Sequence, residues 1–284
     1  MLRKSLIALV VLALPVALAT AQPAAPVKPA STKPASANPS VDELIAKNIE
    51  AHGGLEKIKA VQSIRMTGKM TMGQGMEAPM VLEMKRPKAM RMEFTVQGMT
   101  VIQAYDGKTG WAVKPFGGKK DPEPMNSEDL QEADENADID GPLVDYKSKG
   151  YTVELIDKEK VEGSDAWKLK VNMKNGTVRY VYLDADTMLE IKNEGKRMIR
   201  GSEVEFVSTI GDYKEVGGLL YPYSIEMGAK DHPEKQNIII DKIEINPKLD
   251  DARYKMPAAA AAETPGAPKG DAAKAAPGKP GSTK

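Results

Sequence analysis

The chain has 284 residues, contains no cysteine, and carries 40 acidic and 40 basic residues, so its formal charge is balanced. The lack of cysteine excludes a disulfide scaffold, a thiol nucleophile and the lipid-modified cysteine of bacterial lipoproteins. The balanced charge provides no basic surface of the kind that nucleic acids require, so we expect no nucleic-acid partner.

Residues 1–21 have the composition of a secretory signal peptide. Two basic residues precede the apolar run 6–18, and an A-x-A cleavage site ends at Ala21. The apolar run is too short for a membrane span, which takes about 20 residues. We therefore predict export, cleavage near Ala21 and a soluble periplasmic protein.

Two further segments have compositions that do not build a core. Residues 22–39 are mostly Ala, Pro, Ser, Thr and Lys, and residues 257–284 are mostly Ala, Pro, Gly and Lys. Such segments have too few large apolar side chains to offset the entropy lost on ordering. We predict that both are disordered and that residues 40–256 form one domain.

The domain opens with a helix and continues with strands. Ser40 and Glu43 form a capping box, apolar residues follow at helical spacing, and Gly53-Gly54 ends the run. The hydrophobic period then changes from 3.6 to 2, which favours a mainly β (α+β) fold with one large curved antiparallel sheet or an open, unclosed barrel. Strands are predicted at 64–72, 80–85, 90–96, 100–105, 111–114, 151–156, 188–193, 203–213, 220–227 and 237–245.

One hairpin is predicted in more detail. Asn175-Gly176 suits a two-residue type I′ turn. That turn fixes a register in which Met173 faces Val178 and Leu169 faces Tyr182, all on one side of the sheet.

Residues 121–146, the acidic segment, interrupt the strand pattern. They include ten acidic residues and no basic one. Leu130, Ala133 and Ala137 form a thin apolar stripe at helical spacing. The sequence predicts a short acidic helix that ends at Pro142, because proline breaks the helical hydrogen-bond pattern.

Methionine is concentrated just before this segment, with eight of the 16 methionines between residues 66 and 94. Alternate residues of a strand share a face, so Met80-Leu82-Met84 and Met90-Met92-Phe94 each form an apolar row. The alternating polar residues, such as Glu83 and Arg91, are expected to face water. The sequence thus predicts a methionine-rich face on the sheet.

Three interpretations of this face are open. In the first, methionine replaces leucine in an ordinary core. In the second, flexible thioether chains line a cavity that exists both empty and filled, since such side chains adapt to variable apolar partners. In the third, Met70 and Met72 bind Cu(I), which prefers soft sulfur ligands. Only His52 and His232 are present to complete such a copper site.

Catalytic sequence patterns are missing. The chain has no G-x-S-x-G, no H-E-x-x-H and no Walker loop. Carboxylates are too numerous for any one pair to indicate acid–base catalysis. We therefore expect a protein that is not an enzyme and that needs no cofactor or metal ion.

Four short segments add a resemblance by their order along the chain: residues 51–55 (AHGGL), 63–68 (SIRMTG), 105–111 (YDGKTGW) and 213–222 (YKEVGGLLYP). Together with the signal peptide and the opening helix, they resemble the periplasmic lipoprotein-sorting carriers of the LolA type, within the LolA/LolB-like superfamily. The resemblance implies an unclosed antiparallel barrel whose concave apolar side is covered by helices and shields acyl chains. Residues 125–143 would then form a covering helix or lid.

The resemblance also implies a function. It predicts a soluble, monomeric periplasmic carrier that moves lipoproteins or free lipids toward the outer membrane, with a loading protein at the inner membrane and an acceptor at the outer one. The same fold serves as a sensor domain in envelope-stress regulators, so a regulatory protein-binding module is the alternative. The implied lipid-binding residues are Met66, Met70, Met72, Met80, Leu82, Met84, Met90, Met92, Phe94 and Trp111.

Overall fold

The computed structural model describes residues 38–72, 75–118, 120–199 and 201–257, apart from the side chains of residues 72, 117 and 199. The compact unit begins at Pro39. The predicted signal peptide, nearly all of the segment 22–39 and the tail after Pro257 lie outside the described residues. No described helix is long and apolar enough to cross a lipid bilayer.

Thirteen strands form a single antiparallel sheet. The strands lie where the sequence predicts them, but β2 begins four residues earlier than predicted and β7 and β10 extend five and six residues further. Two-residue β6 is an addition that no sequence pattern indicated. The strands are β1 Ser63–Met72, β2 Met76–Lys85, β3 Ala89–Val96, β4 Met99–Tyr105, β5 Gly110–Val113, β6 Glu123–Pro124, β7 Thr152–Val161, β8 Ser164–Asn172, β9 Val178–Asp184, β10 Glu190–Ile199, β11 Ser202–Val216, β12 Leu219–Ala229 and β13 Gln236–Ile245.

The strand order is β6-β5-β4-β3-β2-β1-β13-β12-β11-β10-β9-β8-β7. Consecutive strands are neighbours almost throughout, and the first strand β1 pairs with the last strand β13 in the middle of the sheet. Within the described part of the chain, the edge strands β6 and β7 do not pair with each other, so the sheet is not closed. The predicted fold class, a mainly β protein with one unclosed antiparallel sheet, is confirmed.

Three helices accompany the sheet: α1 Val41–Ala51, α2 Leu55–Ala60 and α3 Ser127–Asn136. The predicted capping box begins α1, with the Glu43 amide donating to Ser40 Oγ at 3.2 Å and the Ser40 amide donating to Glu43 Oε2 at 2.7 Å. Its apolar face packs on β8 and β9. This cluster includes Leu44, Ile45, Leu143, Leu169, Val171, Val181 and Leu183, all buried.

The corner between α1 and α2 is docked against the start of β12. The Leu220 amide donates to the carbonyl of His52 at 3.1 Å. Gly53 has a φ of +114°, and a Cβ at this position would lie 2.2 Å from the carbonyl oxygen of Gly218. Gly53 is therefore required both by its backbone conformation and by the close approach of the β11–β12 turn.

The β8–β9 hairpin differs from the prediction by one residue. The Gly176 amide donates to Met173 O at 3.1 Å, and Gly176 has a φ of +89°, which fits a three-residue turn with a bulge rather than a two-residue turn. Asn172 therefore faces Val178, and Leu169 faces Val181. The predicted register was wrong, because one extra turn residue moves every β9 side chain to the other face.

The contacts of α3 show that the sheet is rolled. Tyr105 Oη of β4 donates to Asp134 at 2.8 Å, and Arg179 of β9 donates to the adjacent Glu135 at 2.7 Å. In the sheet, β3, β2, β1, β13, β12, β11 and β10 separate these two strands. Flat strands so placed would lie roughly 38 Å apart, whereas a helix is only about 10–12 Å wide. The sheet must curl around α3, and the side that α3 contacts is its concave face.

Helix α3 confirms the predicted acidic helix but not its end. The helix stops at Asn136, with Ala137 as its C-cap, and so ends before Pro142. The Asp140 amide donates to the Asp138 carboxylate at 3.2 Å. This local hydrogen bond offers the backbone an alternative to another helical turn.

Candidate functional site

Cross-strand pairing brings the predicted methionines together on the concave face. Three rows of residues run across β1, β2, β3 and β4, each at right angles to the strands. We call this surface the methionine face. Its rows are Ile64, Met84, Met90 and Tyr105; Met66, Leu82, Met92 and Gln103; and Gly68, Met80, Phe94 and Val101.

The first of these rows is ordinary core. Met84, Met90 and Tyr105 are buried against Ala133 and Ala137 of the α3 region. For these methionines the simplest interpretation, a hydrophobic core in which methionine replaces leucine, is the one that the packing supports.

The second row is different because it is only half-buried. Met66, Leu82 and Met92 remain partly exposed, and so does Phe94 in the third row. Apolar side chains of β12, including Met227, extend the same surface across the middle of the sheet. The concave face thus holds two apolar regions: the first row, which α3 covers, and a neighbouring apolar strip, which the described helices cover incompletely.

The three remaining predicted residues differ in their positions. Met70 lies on the same face as these rows, two residues beyond Gly68 on β1, and is buried in one cluster with Met80 and Ile238. Trp111 lies on the convex face, where its Nε1 donates to the carbonyl of Tyr254 at 3.0 Å, so the structure does not bring it together with the methionines. The side chain of Met72 is not among those described, so the proposed Met70–Met72 copper pair stays a prediction. Within the described residues, no group of three or more His, Asp or Glu side chains is placed to hold a metal ion.

The convex face below the methionines is covered rather than open to water. Glu83 is fully buried, with Arg65 donating to it at 2.7 Å and Arg253 at 3.0 Å. Arg91, also buried, donates to the carbonyl of Arg253 at 3.0 Å. The prediction that Glu83 and Arg91 face water was wrong, since a short 3-10 helix at Asp251–Tyr254 packs over them.

Sequence reasoning also missed how the acidic segment is held. Its carboxylates are paired with basic side chains from strands β9 and β10, from α2 and from the loops beside the strands, so the segment is attached to the concave side by charge. The only signal in the sequence was the concentration of ten acidic residues without a basic one. The pairs are Asp129–Lys114 at 2.9 Å, Glu132–Arg197 at 2.5 Å, Asp134–Lys88 at 2.8 Å, Glu135–Arg179 at 2.7 Å, Asp138–Lys149 at 2.6 Å, Asp140–Arg86 at 2.5 Å and Asp140–Lys59 at 2.6 Å.

Two of these carboxylates are strongly held in the ionised form. Burial raises the pKa of Asp140, but hydrogen bonds from Arg86 and Lys59 outweigh it and lower the pKa to about 2. Burial likewise opposes the shift at Glu135, whose pKa is lowered by the hydrogen bond from Thr177 and the charge of Arg179. Both groups therefore bind their partners most strongly at neutral pH.

Comparison with solved structures identifies the architecture. A domain named for outer-membrane lipoprotein sorting from Vibrio parahaemolyticus is 16% identical, with a TM-score of 0.50 over 74% of this chain and 97% of that one. A LolA superfamily protein from Nitrosomonas europaea is 11% identical, with a TM-score of 0.51 over 74% and 96% of the two chains. This chain has a LolA-like fold. A DUF1329 family protein from Desulfovibrio piger shares it, at 11% identity and a TM-score of 0.52 over 76% and 97%.

The likeness is one of structure. No protein-family model matches the sequence, and no curated protein matches it either. The resemblance that the sequence indicated is therefore confirmed as a LolA-like fold, in which the methionine face occupies the concave side of the open sheet.

Proposed function

We propose that this protein is a carrier that binds the acyl chains of lipoproteins or lipids on the methionine face. The observation that carries the proposal is the half-buried strip formed by Met66, Leu82, Met92 and Phe94 on the concave side of the sheet. A plain core would bury these side chains as fully as it buries Met84 and Met90.

The chemistry of the strip suits an acyl chain. Transfer of each CH₂ group from water to an apolar surface contributes about 0.8 kcal/mol, so a few enclosed carbons suffice for binding. Methionine side chains adjust their rotamers at low cost, which lets one surface accept chains of different shape. The protein acts in this proposal by binding and release, without catalysis or a cofactor.

The charged attachment of α3 provides a way to open and close the strip. Three of the ion pairs of α3, Asp129–Lys114, Glu132–Arg197 and Asp134–Lys88, are half-exposed. Such pairs each contribute only about 0–1 kcal/mol to stability, and the Glu135–Arg179 pair is the buried one. A cover held in this way can move aside for cargo more readily than one held by buried apolar contacts.

The sequence and one fold neighbour support a periplasmic setting for the carrier. The predicted signal peptide directs the chain to the periplasm, and a fold neighbour from Vibrio parahaemolyticus is named for lipoprotein sorting. We infer that the cargo travels toward the outer membrane, with one membrane protein that loads the carrier and another that accepts its cargo. Such a carrier works as a monomer.

Native mass spectrometry of the mature chain, purified from the periplasm without detergent, tests the proposal. We expect an adduct of lipid or lipopeptide mass in the wild-type protein. Met92→Glu should abolish it, since a carboxylate on the apolar strip repels an acyl chain and is costly to desolvate.

The matched control is Ile239→Glu. Ile239 is 47% exposed on the neighbouring region of the sheet and alternates with the concave residues Ile238 and Ile240. This variant should keep the adduct. A wild-type protein that carries no adduct and binds no fluorescent fatty-acid probe would contradict the carrier and favour the regulatory alternative.

A further inference from the structure

A cavity of about 410 Å³ lies between α3 and the strands β9, β10 and β11. Its lining combines charge and apolar surface. Glu132 and Glu135 come from α3, Arg179 and Arg197 from the strands, and Phe206 from β11. This cavity lies on the same concave side, and strands β13 and β12 separate its strands from the methionine face.

The two arginines have binding capacity that the fold leaves unused. A guanidinium group offers five N–H donors in a planar fork that suits carboxylate and phosphate oxygens. Arg179 donates from Nη2 to Glu135, while its Nε is buried and has no hydrogen-bond partner among the described residues. Arg197 stacks on Phe206, with the guanidinium carbon 4.3 Å from the ring centroid.

Helix α3 supplies two carboxylates that pair with these arginines. Glu135 is largely buried and also accepts hydrogen bonds from Asn175 and Thr177. Glu132 contacts Arg197 at 2.5 Å but is 43% exposed, so it is the more easily displaced of the two. Burial lowers the pKa of Arg197, and the charge of Glu132 opposes that shift, which means that this guanidinium gains from a close anion.

The charge of the cavity depends on whether α3 is in place. On the strand side, Lys196 is paired with Glu203 at 2.7 Å, so these two charges offset each other. Once the carboxylates of α3 leave, including Glu128 at the rim, Arg179 and Arg197 remain as the net charge. An open cavity is therefore positive, and a closed one is neutralised by the chain itself.

Apolar residues on the concave face extend from β1 toward the cavity. Ile210 of β11 pairs with Ile225, which pairs with Ile238, which pairs with Met70 of β1. Phe206 lies four residues from Ile210 on the same face of β11, a distance of about 13 Å along a strand. A molecule with an apolar chain on the methionine face can thus place its polar end beside Arg197.

We propose that Arg197 and Arg179 form a headgroup site for anionic amphiphiles, in which a phosphate or carboxylate replaces Glu132 while the acyl chain lies on the methionine face. The site rests on the proposed carrier function and specifies its substrate class. Glu132 acts as an internal competitor that occupies the site until cargo arrives.

The test compares two lipids with the same acyl chain, lysophosphatidylglycerol and lysophosphatidylcholine, below their micelle concentrations. Their affinities for the full mature chain are measured by isothermal titration calorimetry. We expect the wild-type protein to prefer the anionic lipid by about tenfold, a difference of about 1.4 kcal/mol. Arg197→Gln should remove this preference while leaving the affinity for lysophosphatidylcholine unchanged, which also shows that the variant is folded.

Two further variants test whether Glu132 competes with the lipid headgroup and whether any lost positive charge has the same effect. Glu132→Gln removes the competitor and should raise the affinity for lysophosphatidylglycerol several-fold. Lys242→Gln, which removes a charge from a side chain that is 66% exposed and on the convex face, should change neither lipid's affinity.

The outcomes separate this site from the carrier itself. Equal affinity for both lipids in the wild-type protein, with no effect of Arg197→Gln, would overturn the headgroup site and leave the carrier intact. Failure of both lipids to bind would overturn both proposals. Inorganic phosphate that binds the lipid-free chain as tightly as lysophosphatidylglycerol does would show that the site takes a free anion, which contradicts an amphiphile as its ligand.

Discussion

Helices α1 and α3 cover the same concave face of one sheet but are attached to it in different ways. Helix α1 buries Leu44 and Ile45 against Leu169, Val171 and other apolar residues that are fully buried. Helix α3 buries only Ala133 among its ten residues, and its carboxylates pair with basic side chains around it.

The difference shows which cover is permanent. Burial of apolar surface depends weakly on pH and salt, whereas ion pairs respond to both. One half of the concave face is thus covered by a helix that apolar packing holds in place, and the other half is covered by a helix that ion pairs hold in place. The predictions below test this contrast, and each compares the two halves.

The largest effect is expected from cavity formation in the α1 half. Leu169→Ala removes a fully buried side chain and should lower the free energy of unfolding by about 3 kcal/mol. Leu82→Ala, the matched change on the half-buried strip, should cost only about 1 kcal/mol, because less surface leaves water there. Urea denaturation followed by circular dichroism measures both. Equal losses would mean that the strip is ordinary core.

Acid should release the α3 half before the α1 half. The folded-state pKa of Asp140 is about 2, against 3.8 in the unfolded chain, so its contribution is complete above pH 3.8 and is lost as the pH falls toward 2. That shift corresponds to roughly 2 kcal/mol. Glu135, whose pKa is lowered from 4.5, acts in the same direction. Hydrogen exchange should show lower protection factors in residues 127–145 at pH 3 than at pH 7, whereas the protection factors of α1 should change less.

Asp140→Asn is the control for that experiment. This variant should lower the protection factors of the segment already at pH 7. Those protection factors should then depend less on pH, because the charge that binds Arg86 and Lys59 is gone. Wild-type exchange that changes equally in α1 and α3 would contradict a separate, charge-held cover.

Loss of the capping box should act on the other helix. Ser40→Ala removes the acceptor for the Glu43 amide and is expected to destabilise α1 by about 1 kcal/mol. Exchange should increase in the first turn of α1 and stay unchanged in α3. Increased exchange of both helices would show that the two halves open together.

Salt should have the smallest effect. At 1 M salt the screening length falls to about 3 Å, so the half-exposed pairs of α3 weaken by less than about 1 kcal/mol in total. We expect a few-fold faster exchange in α3, with α1 unaffected. Acyl-chain binding measured in the same buffers would tell whether this loosening exposes the methionine face.

Much of the sheet was predictable because period-2 alternation is a local signal. The rows on β2 and β3 follow from alternation alone, and the structure confirms that Met80, Met84, Met90 and Met92 share a face. The β8–β9 register was not predictable in this way, since Asn175-Gly176 fits both a two-residue and a three-residue turn. Strand β6, at two residues, is too short to leave a pattern.

The site was harder to predict because it depends on distant partners. Glu132 pairs with Arg197, which is 65 residues away, and nothing in the acidic segment identifies that partner. The position of Trp111 depends on a register that runs through β3, β4 and β5, where it lines up with Ala104 and Arg91 on the convex face. Such arrangements arise from tertiary packing, which local sequence patterns do not encode.

An open sheet of this kind has two edges, and both are poor templates for aggregation. Strand β6 ends in Pro124, which has no amide hydrogen to donate to an added strand. Strand β7 is interrupted by a bulge between Leu155 and Asp157, and its second half carries exposed charges at Lys158 and Lys160. A strand from another molecule that paired with β7 would have to bury those lysines and adapt to the bulge. Both edges therefore protect the protein against edge-to-edge aggregation.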